Sequence, residues 1–290
     1  MSRFVALVLA GLSLGAVYAL VASGIVLVHK ATGAVNFAQG DLLALGAYVY
    51  LWLTQHSLAA IPACLIAMVV LFGVGSAIER VVFVPLRSKP RLTVAVATFG
   101  IALGIEASLT IWKGSDPKVV PSAFGVGSVE FLGAHLPVLS LWTIAITIVV
   151  FVLLYALFQY TQMGRMVRAL ASDQEVAVMY GVPSSMLNFL TFGLAGSLAA
   201  LGGVLFAPAF ALTPTLGFSI VLFVFAAVTI GGFDRLEAVA AAAFIIGLAQ
   251  KLLTGYVSAS YADAYPYLIM LAILLVRPTG LGSPLVEERF

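Results

Sequence analysis

FVALVLAGLSLGAVYALVASGIVLV, residues 4–28, runs for 25 residues without a charge. A helix needs about 20 mostly apolar residues to cross a bilayer core, within a range of roughly 17–25. This stretch is therefore long enough to span. It follows Arg3 at the start of the chain, where a secretory leader would sit, but a leader's apolar region is only about 7–15 residues long. Its length, and the similar stretches after it, make it a first span rather than a leader cleaved near Ala22.

Working outward by the same rule, further spans fall near 58–78, 92–112, 139–160 and 186–211. Three segments, 41–54, 217–231 and 238–257, are less clean, and a last one lies near 262–276. The runs at 41–54 and 217–231 are short, as broken or re-entrant helices are when read from sequence. The expected fold is an all-α membrane protein: a polytopic bundle of eight or nine spans forming one transmembrane domain over 1–290. Composition agrees. The chain is 62% hydrophobic and 9% charged, whereas soluble domains carry about 25% charged residues, so membrane lipid must act as solvent for much of it. A net charge of +2 gives no electrostatic case for nucleic acid. The single cysteine, Cys64, lies in an apolar run and reads as a packing residue.

Orientation follows from the basic residues, which concentrate on the cytoplasmic side. Placing the 79–91 loop inside puts ten basic residues there: Lys30, Arg80, Arg87, Lys89, Arg91, Arg165, Arg168, Arg235, Arg277 and Arg289. Three, Arg3, Lys113 and Lys118, fall outside. Nine spans then leave the N-terminus outside and the C-terminus inside, with Arg3 voting weakly the other way. The longest outside loop, 113–138, is proline- and glycine-rich and too short for a domain; the longest inside loop is 161–185. The two halves share a plan of long span, Gly/Ala-rich span and short span. An inverted repeat is the corresponding hypothesis.

The inside loop contains GRMVRALASDQEVAVMYG, residues 164–181. Ser172 followed by Glu175 has the spacing of a capping box, and Asp173 adds negative charge where a helix dipole favours it. Gly181 is a natural terminator, and Pro183 blocks continuation. The spacing predicts a two-turn helix over 173–180, preceded by a basic turn at Arg165–Arg168. Such a helix is too short to stand alone in water. It either rests on the ends of the spans or docks a cytoplasmic partner, and its charges of both signs suit contacts that fix register.

Asn36-Phe37-Ala38-Gln39-Gly40-Asp41 joins the first span to the short second one. Asn36 and Asp41 are N-cap types, and Gly33 and Gly40 permit a break in the helix. An ordinary turn and a broken helix lining a polar path both fit. Glu106 lies inside a span, where an acidic group costs about 2.5–3.5 kcal/mol on insertion scales and is functional by default. Lys251, inside 238–257, is its candidate partner. Gly11-x-x-x-Gly15 and Gly193, Gly196, Gly202 and Gly203 read as close helix packing. No P-loop and no H-E-x-x-H motif occurs, and His29, His56 and His135 are scattered, so no ATP, metal or other cofactor site and no catalytic residue is expected.

Gly11–Leu20 (GLSLGAVYAL) and Val35–Tyr48 (VNFAQGDLLALGAY) resemble the start of branched-chain amino-acid ABC permeases of the H type. The resemblance continues through Glu79-Arg80, Gly114–Pro117, Gly164–Gly181, Ala226–Gly232 and Arg277–Leu281, nearly the whole chain. It implies an importer of the bacterial inner membrane built from several proteins: an external substrate-binding protein, a second similar permease subunit and two cytoplasmic ATPases that bind the ATP. It also implies that the short cytoplasmic helix docks into a groove on the ATPase, with Arg165, Arg168, Asp173 and Glu175 as contacts. Gly164, Ser172 and Gly181 frame that unit, and Asn36, Phe37, Gln39, Gly40, Asp41 and Glu106 become the expected translocation path. Two departures stand out. Gln39 replaces a frequent His and cannot titrate, and Phe233-Asp-Arg-Leu-Glu-Ala238 replaces a Gly/Ser-Ile-Pro-Gly pattern. Urea and short-chain amide permeases share the Asn-x-Ala-x-Gly-Asp/Glu pattern, so they are the alternative substrate class. A secondary transporter driven by an ion gradient would need more intramembrane ionisable residues than Glu106 and Lys251. A scaffold role would leave the broken helices unexplained.

Overall fold

The computed structural model describes residues 2–276, apart from 126, 132, 133 and 234. Arg277 and Arg289, counted toward the inside, and the 277–281 segment of the resemblance lie outside the described residues. Twelve α-helical segments follow in order: α1 (Ser2–Thr32), α2 (Gln39–Gln55), α3 (Ala60–Ile78), α4 (Val84–Leu86), α5 (Arg91–Lys113), α6 (Val138–Tyr160), α7 (Gln162–Ser172), α8 (Gln174–Met179), α9 (Ser184–Phe206), α10 (Leu216–Gly231), α11 (Leu236–Tyr256) and α12 (Tyr265–Val276). A π-helical turn, Glu79–Phe83, welds α3 to α4. Among the described residues, six helices are long and apolar enough to cross a membrane: α1, the α3–α4 rod, α5, α6, α9 and α11. This is a multi-pass, all-α membrane protein. The segments expected at 41–54, 217–231 and 262–276 become α2, α10 and α12. At 17 residues, α2 is about 25 Å long, short of a typical 30 Å core.

At the end of α1, Gly33 takes φ +68°, and its N–H donates to the His29 carbonyl at 2.7 Å. Thr32 Oγ1 turns back on the Val28 carbonyl at 2.8 Å. The chain then runs irregularly over 33–38 before α2 begins.

The core lies around α1 and α9, which are buried almost all round along much of their length. Small residues permit their close packing. Gly15 faces the backbone of α11, where an added Cβ would sit 2.7 Å from Phe244 Cα, and Gly75 and Gly196 bring α3 and α9 together. Lipid tails are as apolar as leucine, so close packing of this kind, rather than hydrophobic transfer, drives association. Helices α5 and α6 turn apolar faces outward, among them Leu92, Val96 and Leu103 on one and Ile148, Val152 and Leu153 on the other.

The packing has an internal exchange. Helix α1 lies on α11 as α9 lies on α3; α2 lies on α9 as α10 lies on α1. Helix α2 also meets α3 and α5, as α10 meets α11 and α12, while α1 meets α9 and α2 meets α10. Swapping α1, α2, α3 and α5 for α9, α10, α11 and α12 reproduces this set of neighbours. The loop at 113–138 is more ordered than its composition suggested. It carries an antiparallel hairpin, β1 (Ser128–Phe131) with β2 (Ala134–Pro137). Lys118 and Leu212 exchange backbone hydrogen bonds at 2.9 and 3.0 Å, and Tyr50 Oη donates to the Pro121 carbonyl at 3.1 Å. The loop is thereby tied across the end of α2.

Candidate functional site

The 161–185 segment folds as two helices rather than a turn and a helix. Thr161 Oγ1 accepts from Gly164 N–H at 3.1 Å and caps α7, so Arg165 and Arg168 lie on a helix instead of in the basic turn expected from sequence. Gly164 is needed because a Cβ there would come within 2.5 Å of Phe158 Cα, at the end of α6. Arg168 Nη1 donates to the Phe158 carbonyl. It thus satisfies an open carbonyl at a helix C-terminus, where a cation is also favoured electrostatically. Val167 and Leu170 face inward and pack with Ala177 and Leu187.

The Ser172–Glu175 capping box does not form. Ser172 ends α7, and its Oγ donates to the Arg168 carbonyl at 3.1 Å. The cap of α8 is the next residue, Asp173, whose Oδ1 accepts from Val176 N–H at 3.0 Å. The extended backbone of Asp173 suits a cap, while Ser172 is still helical. Gly181 closes α8 as expected. It takes φ +82°, its N–H reaches the Val178 carbonyl at 2.9 Å, and Val182 N–H reaches the Ala177 carbonyl at 3.1 Å. That paired arrangement is a Schellman motif. The result is a short helix, rigidly held at both ends, that presents an apolar tip. Val176 and Val178 are exposed, Met179 is 85% exposed and Tyr180 is 86% exposed. The sequence reading singled out the charges around this tip and missed the tip itself. Its signal was the unbroken run Val176–Tyr180, of which so short a helix can bury only one side.

The second candidate region lies where α2 and α10 begin. The two helix starts touch: a Cβ on Gly217 would sit 2.6 Å from both Asp41 Cα and the Gly40 carbonyl. Neither Asn36 nor Asp41 is the N-cap of α2. Asn36 Oδ1 accepts from Ala38 N–H at 3.1 Å, and the cap position is Ala38, which makes no side-chain cap bond. Asp41 sits in the first turn, where the helix dipole favours an anion. Its side chain is 1% exposed, and its Oδ1 has no hydrogen-bond partner. Gln39 is fully buried; its Nε2 donates to the Ala195 carbonyl at 2.8 Å, while its Oε1 is unpartnered. Phe37 N–H donates to Thr98 Oγ1 at 3.2 Å, and its ring lies 5.6 Å from that of Phe225. Phe37 also lines an apolar groove of about 360 Å3 between α5 and α10, together with Phe99 and Phe218.

Glu106 is half-buried on α5, which packs against α2, the helix that carries Asp41. Lys251 is not its partner. The Lys251 Nζ lies 5.3 Å from the Phe210 ring, in a cavity it shares with Ser13, Ser140 and Phe206. Glu106 and Lys251 are also not the whole set of ionisable groups within the bundle. Asp41 and Glu79 are both more deeply buried, at 1% and 2% exposure. Among the described residues no group of three His, Cys, Asp or Glu side chains could hold a metal ion.

Residues 7–276 match the family described as branched-chain amino acid transport system / permease component. The chain is similar to the high-affinity branched-chain amino acid permease LivH of Salmonella typhimurium, at 30% identity over 96% of this chain and 95% of that one. It is also similar to BraD of Pseudomonas aeruginosa, at 28% identity over 96% and 95%. A weaker similarity, 27% over 74% of this chain and 66% of the other, joins it to the ribose import permease RbsC of Escherichia coli. No solved structure matches.

Proposed function

The chain belongs to the branched-chain amino acid transport permease family, and from that membership we propose that it is the membrane-spanning subunit of an ABC importer. Its cargo is branched-chain or related hydrophobic amino acids. It sits in the bacterial inner membrane with its C-terminus cytoplasmic, beside a second homologous permease subunit. An external binding protein delivers substrate, and two cytoplasmic ATPases hydrolyse ATP; the permease itself catalyses no reaction. The path runs past Asn36, Phe37, Gln39, Gly40, Asp41 and Glu106, where two helix starts meet and buried polar groups lack partners.

The observation that carries this reading is the exposed tip of α8. Met179 and Tyr180 present apolar surface on a helix that both caps hold rigid. Methionine and aromatic residues are enriched at interface cores, and preorganisation lowers the ordering cost of docking. Arg165, Asp173 and Glu175 stand exposed around the tip and supply register. In this unit Arg168 is a brace on α6 as well as a surface charge. Transport follows if the ATPase grips the tip and moves it as a rigid lever.

The test is co-purification of the ATPase with the wild-type permease and with Met179→Asp. The wild-type chain retains its ATPase, whereas Met179→Asp loses it at unchanged thermal stability of the permease. Retention of the ATPase by a Met179→Asp/Tyr180→Asp double variant would remove α8 as the coupling element.

A further inference from the structure

A cavity of about 270 Å3 opens between the end of α1, the π turn, α4 and the starts of α5 and α9. Its lining is chemically mixed. Glu79 is 2% exposed, and its Oε2 has no hydrogen-bond partner. A buried carboxylate oxygen in that state is costly unless something binds it. The π turn that carries Glu79 is a rare geometry that occurs frequently at functional sites. Arg87 and Lys89 also line the cavity, and both are exposed at its rim. Arg87 Nη2 donates to Ser184 Oγ at 3.0 Å, joining the rim to the first residue of α9. Phe83 and Val94, both buried, add apolar surface to the same lining. Asn188 completes the wall. In the orientation that satisfies its neighbours, its amide nitrogen donates to the Ala31 and Ser184 carbonyls at 3.2 and 3.3 Å.

We propose that this cavity binds a free α-amino acid as its zwitterion. The ammonium group sits on Glu79, the carboxylate on Arg87 and Lys89, and an apolar side chain against Phe83 and Val94. A simple cation would use Glu79 but be repelled by the rim. A simple anion would use the rim but leave the buried Glu79 oxygen without a partner. The two charges together with an apolar wall select a molecule that carries all three features. The site is separate from the α2–α10 contact region. It adjoins the coupling unit, because Ser184, bonded to Arg87 at the rim, lies two residues after Val182, which packs with the α7–α8 core. Only the naming of the ligand as the imported amino acid rests on the importer reading; the charge pattern stands without it.

The test is equilibrium binding of radiolabelled L-leucine to the purified full-length chain in lipid nanodiscs. Competition uses 3-methylbutylamine, which lacks the carboxylate, and 4-methylpentanoate, which lacks the amine. Saturable leucine binding is expected, with each analogue competing at least tenfold more weakly than unlabelled leucine. Glu79→Gln should weaken binding at least tenfold. Lys89→Gln, an exposed change with no consequence for folding, should weaken it several-fold. Undiminished binding by both variants overturns the proposal, as does equal competition by the amine or the acid. ATP-driven leucine uptake by the assembled importer is measured alongside. Uptake without leucine binding to the isolated chain sinks this site and leaves the importer reading standing. Binding that is lost in Glu79→Gln, without uptake, supports the site and sinks the named cargo.

Discussion

Gly217→Ala places one methyl group where the starts of α2 and α10 touch. The added carbon would lie 2.6 Å from Asp41 Cα and from the Gly40 carbonyl. Carbon atoms rest at about 3.5–4.0 Å, so the two helix starts must part by about 1 Å. The obstacles are backbone atoms, which cannot swing aside as a side chain can. Overpacking of this kind costs about 1–3 kcal/mol, and the better helix propensity of alanine returns at most about 1 kcal/mol. A net loss of about 1–2 kcal/mol is expected, together with a larger loss of uptake, because Asp41 moves with the contact. Gly40→Ala meets the same neighbour from the other side, its Cβ lying 2.8 Å from Val221 Cβ and 2.9 Å from the Gly217 carbonyl carbon. The double variant should therefore cost less than the sum of the two, since one separation relieves both clashes. Gly73→Ala is the control, because nothing lies within 4 Å of its added Cβ. Thermal unfolding in a fixed detergent and uptake by the reconstituted importer give the readouts. Wild-type stability and uptake in Gly217→Ala, or equal damage from Gly73→Ala, would refute the reasoning.

Three further outcomes follow from the same geometry. Asp173→Ala removes the α8 cap and should cost about 1 kcal/mol locally, seen as roughly fivefold faster hydrogen exchange at Val176, whereas Ser172→Ala should leave that amide unchanged. Gly181→Ala forces a side chain into φ +82° and should cost about 1–2 kcal/mol, read as weaker retention of the ATPase. Glu106→Gln removes an acidic group from inside a span and should hold or slightly raise the unfolding temperature while slowing uptake several-fold; wild-type uptake would take Glu106 off the path.

The spans were legible because a helix in lipid must be apolar over a known length, and Phe4–Val28 or the run at 139–160 can do little else. Ends were less legible. The expected cap was Ser172 and the actual one is Asp173, because adjacent residues of equal capping chemistry differ only in where the preceding helix stops. Arg165–Arg168 looked like a turn, since nothing local announces that Thr161 caps a helix and Gly164 lets it fold under α6. The exchange of packing partners between the two halves is absent from the sequence by eye, because it resides in which helix meets which. Glycines such as Gly15, Gly75, Gly196 and Gly247 mark close contacts between them.

Burial of charge was the hardest feature to see. Asp41 looked like a cap at a helix start and Glu79 fell at the start of the inside loop 79–91, yet each is almost fully enclosed. What encloses them comes from elsewhere in the chain: α10 and α5 around Asp41, and α1, α5 and α9 around Glu79. Glu106, the acid most conspicuous in the sequence, is the least buried of the three. No hydropathy window could have ranked them.

The most direct test of the account is uptake into proteoliposomes. The chain is reconstituted with its second permease subunit and ATPases, binding protein is added outside, and labelled L-leucine is followed with and without internal ATP. The account predicts accumulation only when ATP and all components are present, and none with this chain alone. Leucine accumulation by this chain alone, independent of ATP, would contradict it.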